Sequence, residues 1–341
     1  MRSTSIHTPI TLLFICILIA LIGVSGCIDN LNNNTTGNTS LDDTTAHLQA
    51  FNESTYIMTK DGTPLRYVIH DGSTGAATDE KNPPVIFVLG YGMTLDEWPN
   101  LMVSHLAKSH TVILYNHRGI SGVKNPDVPF SIPQGAMDLH DVIIGLTGWN
   151  EGCGSGVLDN CTGPGVDIVG YSMGGMIALE YAVMYPDSVN HLILLNTDCG
   201  GAERVPSEEW VMEEMGRTLK TPEENLDRAG RVLLTESFRT THPDPLTWFV
   251  DYGEVADPDA VQEQFNALGS WEGVYADLPA IRSRTLVITG DQDIVIPPEN
   301  AVILADAIPD ATLIIREGQA HGMIFVEPEE IAGLIKDFLQ G

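Results

Sequence analysis

Between residues 166 and 185 the chain runs strand, glycine, serine, glycine, helix, and few backbone arrangements satisfy that order. Val166-Asp167-Ile168-Val169 is short, β-branched and largely apolar, which predicts a buried strand. After Gly170-Tyr171-Ser172-Met173-Gly174-Gly175, the residues Met176, Ile177, Leu179, Tyr181, Ala182 and Met184 recur at helical spacing until Tyr185-Pro186 ends the run. A strand that turns into a helix over one serine brings the two elements very close together. Gly170 and Gly174, two positions either side of Ser172, stand where a Cβ would collide. The hydroxyl is pushed outward at the N-terminus of a helix, where the dipole favours negative charge. An ordinary glycine-rich turn shares this pattern, so a chemical reading needs a base, an acid and an oxyanion site in the right order.

The rest of the chain supplies a frame for that turn. Thr55–Lys60 and Leu65–His70 flank Asp61-Gly62, a hairpin signal. Val85–Leu89 and Thr111–Tyr115 read as buried strands, with helical patterns over 96–108 and 134–146. Beyond the serine, Leu192–Leu195, Thr285–Ile288 and Thr312–Ile315 are strands, and Pro298–Ala307 and Glu327–Leu339 are helices. An antiparallel start followed by βα repeats predicts an eight-stranded, mostly parallel, doubly wound α/β sheet with helices on both faces. The stretch 199–281 has no strand signal, only helical patterns near 208–219, 223–235 and 258–268.

With these elements in place, Gly170-Tyr171-Ser172-Met173-Gly174 resembles the nucleophile elbow of the α/β-hydrolase family. The resemblance covers the chain from about residue 55 onward and implies that fold, with 51–198 and 282–341 as the core. It also implies that 199–281 is a helical cap inserted after strand six, with Trp210, Trp248, Phe249, Tyr252 and Trp271 offered as apolar lining.

A serine needs a base, and the base needs a partner that holds its tautomer. His321 follows the last strand in a small-residue loop, at the same sheet edge as the elbow. Among acids, Gly290-Asp291-Gln292-Asp293 resembles the family's strand-seven loop, with Asp293 on the catalytic position. Asp291 reads as a turn residue capping local backbone, and Asp198, after strand six, is a third candidate. The order Ser172, Asp293, His321 is that of the family. The resemblance assigns the oxyanion hole to the amides of Tyr91 and Met173, although Leu89-Gly90 stands where most relatives have His-Gly. Asn116-His117-Arg118-Gly119 is similar to the family's Asp-x-Arg-Gly, with His117 given a structural role, and Trp98 matches a tryptophan common in relatives. The expected activity is cleavage of a carboxylic ester, thioester or lactone, with a small-molecule acyl substrate. The rivals are an iminopeptidase-type amide hydrolase and a non-catalytic ligand-binding surface protein. No metal motif is visible, and no cofactor is expected.

The N-terminus suggests an address. Arg2 precedes an apolar run from Ile10 to Val24, and Val24-Ser25-Gly26-Cys27 resembles a prokaryotic lipoprotein lipobox. Residues 1–27 then form a leader with lipidation at Cys27, and 28–50 a polar, disordered tether; an uncleaved anchor or a plain secretory signal are the alternatives. In an extracytoplasmic compartment Cys153 and Cys161 are expected to pair, leaving Cys199 as a buried thiol. Lys plus Arg number 17 against 46 Asp plus Glu, a net charge of −29 that repels nucleic acid and anionic headgroups, so nucleic acid is not an expected partner.

Overall fold

In a computed structural model, the sheet has eight strands in the order β1-β2-β4-β3-β5-β6-β7-β8. They are β1 (Thr55–Met58), β2 (Pro64–His70), β3 (Val85–Val88), β4 (Val112–Tyr115), β5 (Val166–Tyr171), β6 (Val189–Leu195), β7 (Arg284–Gly290) and β8 (Ala311–Arg316). The structure describes residues 55–70, 82–123, 127–147, 149, 165–217, 221–249 and 254–341, all within the unit Glu53–Gly341. The expected cysteine pair, the leader, the tether and Tyr252 lie outside the described residues. β1 and β2 pair antiparallel, β2 pairs antiparallel with β4, and every other neighbouring pair is parallel.

The parallel strands are apolar on both faces because both faces are covered. Val85, Phe87 and Leu89 point to one side, with Met102 and Leu106 of α1 (Asn100–Ala107) and Ile331 and Ile335 of the C-terminal helix. Ile86 and Val88 point to the other, against α2 (Ile132–Thr147) and α3 (Met173–Met184). One strand register therefore feeds two cores, and a one-residue slip would exchange their contents.

Local chemistry moves several boundaries. The expected helix over 96–108 splits into a 3-10 turn at Leu95–Glu97 and α1, because Pro99 cannot sit inside a continuous helix. The Asp61-Gly62 hairpin forms through a longer loop, Thr59 to Thr63, with Gly62 at φ 84° and Asp61 accepting from the Thr59 and Thr63 hydroxyls. Between β6 and β7 the described chain is helical: α4 (Glu209–Gly216), α5 (Pro222–Leu233), α6 (Glu236–Thr241) and α7 (Pro258–Ser270). The pattern over 223–235 runs up to α6 without a break in the sequence. In the structure Thr235 caps a new helix there, its hydroxyl accepting from Phe238 N. After β7 come α8 (Glu299–Ala307), α9 (Met323–Val326) and α10 (Pro328–Gln340). No helix among the described residues is long and apolar enough to cross a membrane.

Candidate active site

The chain goes from β3 to β4 in one direction across the sheet and on to β5 in the other, so a crevice opens at the carboxyl ends of β3 and β5. Ser172 sits there at φ 53° and ψ −120°, a conformation that costs on the order of 1–3 kcal/mol for a side-chain-bearing residue. The surroundings hold it in place. Its N–H donates to Leu195 O at 2.9 Å, and its carbonyl accepts from Gly175 N at 2.9 Å and from the Thr197 hydroxyl at 2.8 Å. A Cβ on Gly174 would lie 2.0 Å from Val88 O, and one on Gly170 would lie 2.6 Å from Gly174 O, so glycine alone permits this approach.

His321 occupies the loop after β8 and is 2 % exposed. Its Nε2 lies 3.0 Å from Ser172 Oγ and its Nδ1 2.8 Å from Asp293 Oδ2. A carboxylate only accepts, so Nδ1 carries the proton and Nε2 offers its lone pair to the serine. Asp293 is oriented in turn: Oδ1 accepts from Val295 N and Ile296 N, both at 2.9 Å, and Oδ2 also accepts from Asn196 Nδ2 at 2.8 Å. The Tyr171 hydroxyl donates to the His321 carbonyl at 3.0 Å. Gly290 lets β7 and the histidine loop touch, since a Cβ there would lie 2.2 Å from Gln319 O.

The other acids are occupied elsewhere. Asp291 Oδ1 accepts from Gly318 N at 2.8 Å, so it caps the neighbouring loop rather than its own turn, a correction to the local role expected of it. Asp198 Oδ1 accepts from Gly200 N at 2.7 Å while Oδ2 faces Arg204 at 4.0 Å, and burial pushes its carboxyl up. Cys199 is a buried free thiol, as expected, which burial pushes up to about 11.

Met173 is the first residue of α3, so its N–H has no carbonyl four residues back in the helix. Tyr91 lies in the loop after β3, and β3 runs beside β5 with Val88 opposite Gly170, which puts that loop next to the elbow. Gly92 N donates to Gln264 Oε1 of α7 at 2.8 Å, and Leu95 N to Asn116 Oδ1 at 2.6 Å. Trp98 is buried between Phe87 and Tyr171. Close by, Glu97 accepts from Thr94 N; burial pushes its carboxyl up to about 7, and the neighbouring Asp96 and Glu254 add to that shift. Glu254 pairs with Arg66 at 2.6 Å and accepts from Asn116 Nδ2 at 2.7 Å.

Ser172 and Tyr91 open into a cavity of about 60 Å³, walled by Met176, Met212, Met215, Phe265, Leu268, Val295 and Ile296, with Asp198 and Arg204 at its side. The cap tryptophans are not in this wall, contrary to expectation. Trp248 Nε1 donates to His242 O at 2.6 Å and Trp271 Nε1 to Glu180 Oε2 at 3.0 Å, while Trp210 is exposed. A buried indole N–H needs an acceptor, and these two find theirs away from the cavity. Phe249 packs against Phe325 instead. A larger cavity of about 290 Å³ lies between α5, α6 and the acid and histidine loops, and it contains neither Ser172 nor His321.

The cap is tied to the core at several points. Gly322 N, next to His321, donates to Leu233 O at the end of α5 at 2.7 Å. Asn300 of α8 and the backbone of Val205 exchange two hydrogen bonds of 2.8 Å each. Asn196 and Gln264 were not foreseen from the sequence. An asparagine directly after an apolar strand, suited to the left-handed φ of 47° it adopts, was the available signal for the first. Gln264 carries none.

A doubly wound sheet with a serine on a strained strand-to-helix turn, facing a histidine and a carboxylate, defines an α/β hydrolase. The chain belongs to the alpha/beta hydrolase fold family, whose model matches residues 157–328. It is 27 % identical over 282 residues to a protein named proline iminopeptidase PfmaB from Pestalotiopsis fici, covering 76 % of this chain and 93 % of that one. It is 27 % identical over 295 residues to a 2-hydroxymuconate semialdehyde hydrolase from a Pseudomonas species, covering 81 % and 90 %. The fold is similar to that of the enol-lactonase from Burkholderia xenovorans, with a TM-score of 0.66 at 21 % identity over 84 % of this chain and 100 % of that one.

Proposed function

We propose that this α/β hydrolase cleaves a small carboxylic ester, thioester or lactone through an acyl-enzyme on Ser172. The observation that carries this reading is the continuous hydrogen-bonded line from Ser172 Oγ through His321 to Asp293, beneath an apolar cavity. In the first step Ser172 Oγ attacks the carbonyl carbon and passes its proton to His321 Nε2. The N–H groups of Tyr91 and Met173 hold the resulting oxyanion, each contributing roughly two to three powers of ten in rate. His321 then protonates the leaving oxygen or sulfur. In the second half it takes a proton from water, which attacks the acyl-enzyme and releases the acid. Asp293 keeps His321 in the required tautomer and stabilises its cation. A cavity of about 60 Å³ matches a short acyl group, since pockets for drug-sized ligands run to roughly 300–1,000 Å³.

Amide hydrolysis is the rival reading, supported by the relative named an iminopeptidase. The full-length chain should be labelled by a fluorophosphonate probe and turn over p-nitrophenyl acetate, and both should vanish in Ser172→Ala with the melting temperature retained. Faster turnover of prolyl p-nitroanilide than of any short ester would replace the ester reading with the amide one. Absence of both labelling and turnover in the wild type would leave a ligand-binding protein. We place the enzyme outside the cytoplasm, tethered through a lipid on Cys27 or through its uncleaved leader, a reading supported by the residue pattern around Cys27.

A further inference from the structure

We propose that His117 is a positioning residue for the oxyanion hole, holding the Leu89–Gly90 peptide so that the Tyr91 N–H faces the carbonyl attacked by Ser172. The inference rests on the reading of Ser172 and Tyr91 given above. His117 follows β4 and is 2 % exposed. Its Nε2 donates to the Leu89 carbonyl at 2.9 Å, while Nδ1 has no hydrogen-bond partner among the described residues, so the neutral ring carries its proton on Nε2. Burial pushes the imidazole down to about 4, so it is neutral near pH 7. Tyr115 and Phe130 meet the ring edge to face, with centroids 5.6 and 5.7 Å away, and leave it little freedom.

The far side of the same carbonyl is also closed. A Cβ on Gly174 would lie 2.6 Å from Leu89 O, so the carbonyl is trapped between the first turn of α3 and the imidazole. The next residue is Gly90, which has the least restricted backbone of any residue type, and the one after is Tyr91. Within the loop the Gly90–Tyr91 peptide is held by a long bond from Met93 N to Gly90 O at 3.4 Å, and the imidazole fixes the peptide that precedes it. Asn116 grips the other end of the loop through Leu95 N. Burying an imidazole with one nitrogen unsatisfied is costly, and an apolar residue would fill the space without that cost. What the histidine provides is a rigid N–H aimed at one carbonyl. It acts from the segment just after β4, the strand next to β3, in a chain whose own loop starts Leu89-Gly90.

The test compares His117→Met and His117→Leu, which lack the donor, with His117→Gln, whose amide nitrogen reaches to the position of Nε2. On the full-length enzyme, kcat and KM for p-nitrophenyl acetate are measured beside the inhibition constant of a trifluoromethyl ketone, whose adduct carries the oxyanion. Melting curves identify which donorless variant is folded at the assay temperature, and that one gives the comparison. The expected result is a kcat lower by about 10²-fold with KM changed by less than about threefold, and a ketone affinity weakened in parallel with kcat. Glutamine should restore at least about tenfold of the loss. A role in packing alone would lower the melting temperature and leave kcat and the ketone constant where they are, which overturns the proposal. So does a glutamine variant no better than methionine or leucine. A wild type that Ser172-directed probes do not label would bring down the reading beneath it; a labelled wild type with unaffected donorless variants brings down this inference alone.

Discussion

In Asp293→Asn one carboxylate oxygen becomes an amide nitrogen, and the surroundings dictate which. Val295 N and Ile296 N both point at Oδ1 at 2.9 Å, so a nitrogen there would leave two donors facing a donor, at about 1–3 kcal/mol for each unpaired group. The nitrogen therefore takes the Oδ2 place, facing Asn196 and His321. Asn196 adapts by turning its amide over, since its Oδ1 has no hydrogen-bond partner among the described residues. His321 has no such freedom. To meet a donor, its Nδ1 must give up its proton, and the proton then sits on Nε2, aimed at Ser172 Oγ. The equivalent replacement in a serine protease triad lowers kcat about 10⁴-fold, or about 5 kcal/mol of transition-state stabilisation, and the same loss is expected here. Initial rates on p-nitrophenyl acetate and the rate of fluorophosphonate labelling measure it, and the melting temperature should stay close to wild type because both backbone bonds survive. Asp291→Asn is the control: the asparagine oxygen accepts from Gly318 N as the carboxylate does, and kcat should stay within about threefold. An Asp293→Asn enzyme within about tenfold of wild type, or one less impaired than Asp291→Asn, would refute the assignment.

Glu97 gives a pH prediction. Its carboxyl is raised from 4.5 to about 7, so above 4.5 the unfolded chain loses a proton that the folded one keeps, and stability falls as pH rises to about 7. At most about 3 kcal/mol is lost, and screening of a partly exposed side chain trims this to roughly 2. Glu97→Gln should remove that fall, matching wild type near pH 4 and exceeding it near pH 8 in denaturant titrations; parallel profiles would count against it. For the anchor, radiolabelled fatty acid should enter the wild-type chain in its membrane-bearing host and not Cys27→Ser, whereas equal labelling would point away from that cysteine.

Much of the frame was legible because each part has a short-range signature. β3 to β8 announce themselves as apolar runs, β1 and β2 as the flanks of Asp61-Gly62, the elbow as two glycines around a serine, and the histidine as a loop residue after the last strand. What stayed hidden depends on partners distant in sequence. Asn196 matters because β6 ends beside the Asp293 loop, and Gln264 because α7 lies over Gly92. His117 had its place after a strand and within Asn116-His117-Arg118-Gly119 to speak for it, and neither names its partner. Its partner is a backbone carbonyl, and a carbonyl leaves no mark in a sequence. The tryptophans misled for a related reason, since size suggested lining while two of their N–H groups bond to His242 O and to Glu180 of α3, away from the cavity.

The stitches between cap and core bear on how such an enzyme changes its diet. The end of α5 is bonded to the residue after His321, α7 to the loop of Tyr91, and Val205 to the helix that follows the Asp293 loop. A cap transplanted whole from a relative would arrive without Gln264 or the Leu233 carbonyl in register, and would loosen the loops of His321 and Tyr91 while it reshaped the pocket. New specificity is reached more safely by substitutions at Met212 and Met215, whose side chains touch the cavity and take no part in these bonds. In this chain the roof is part of the machine beneath it, and evolution has to edit the two together.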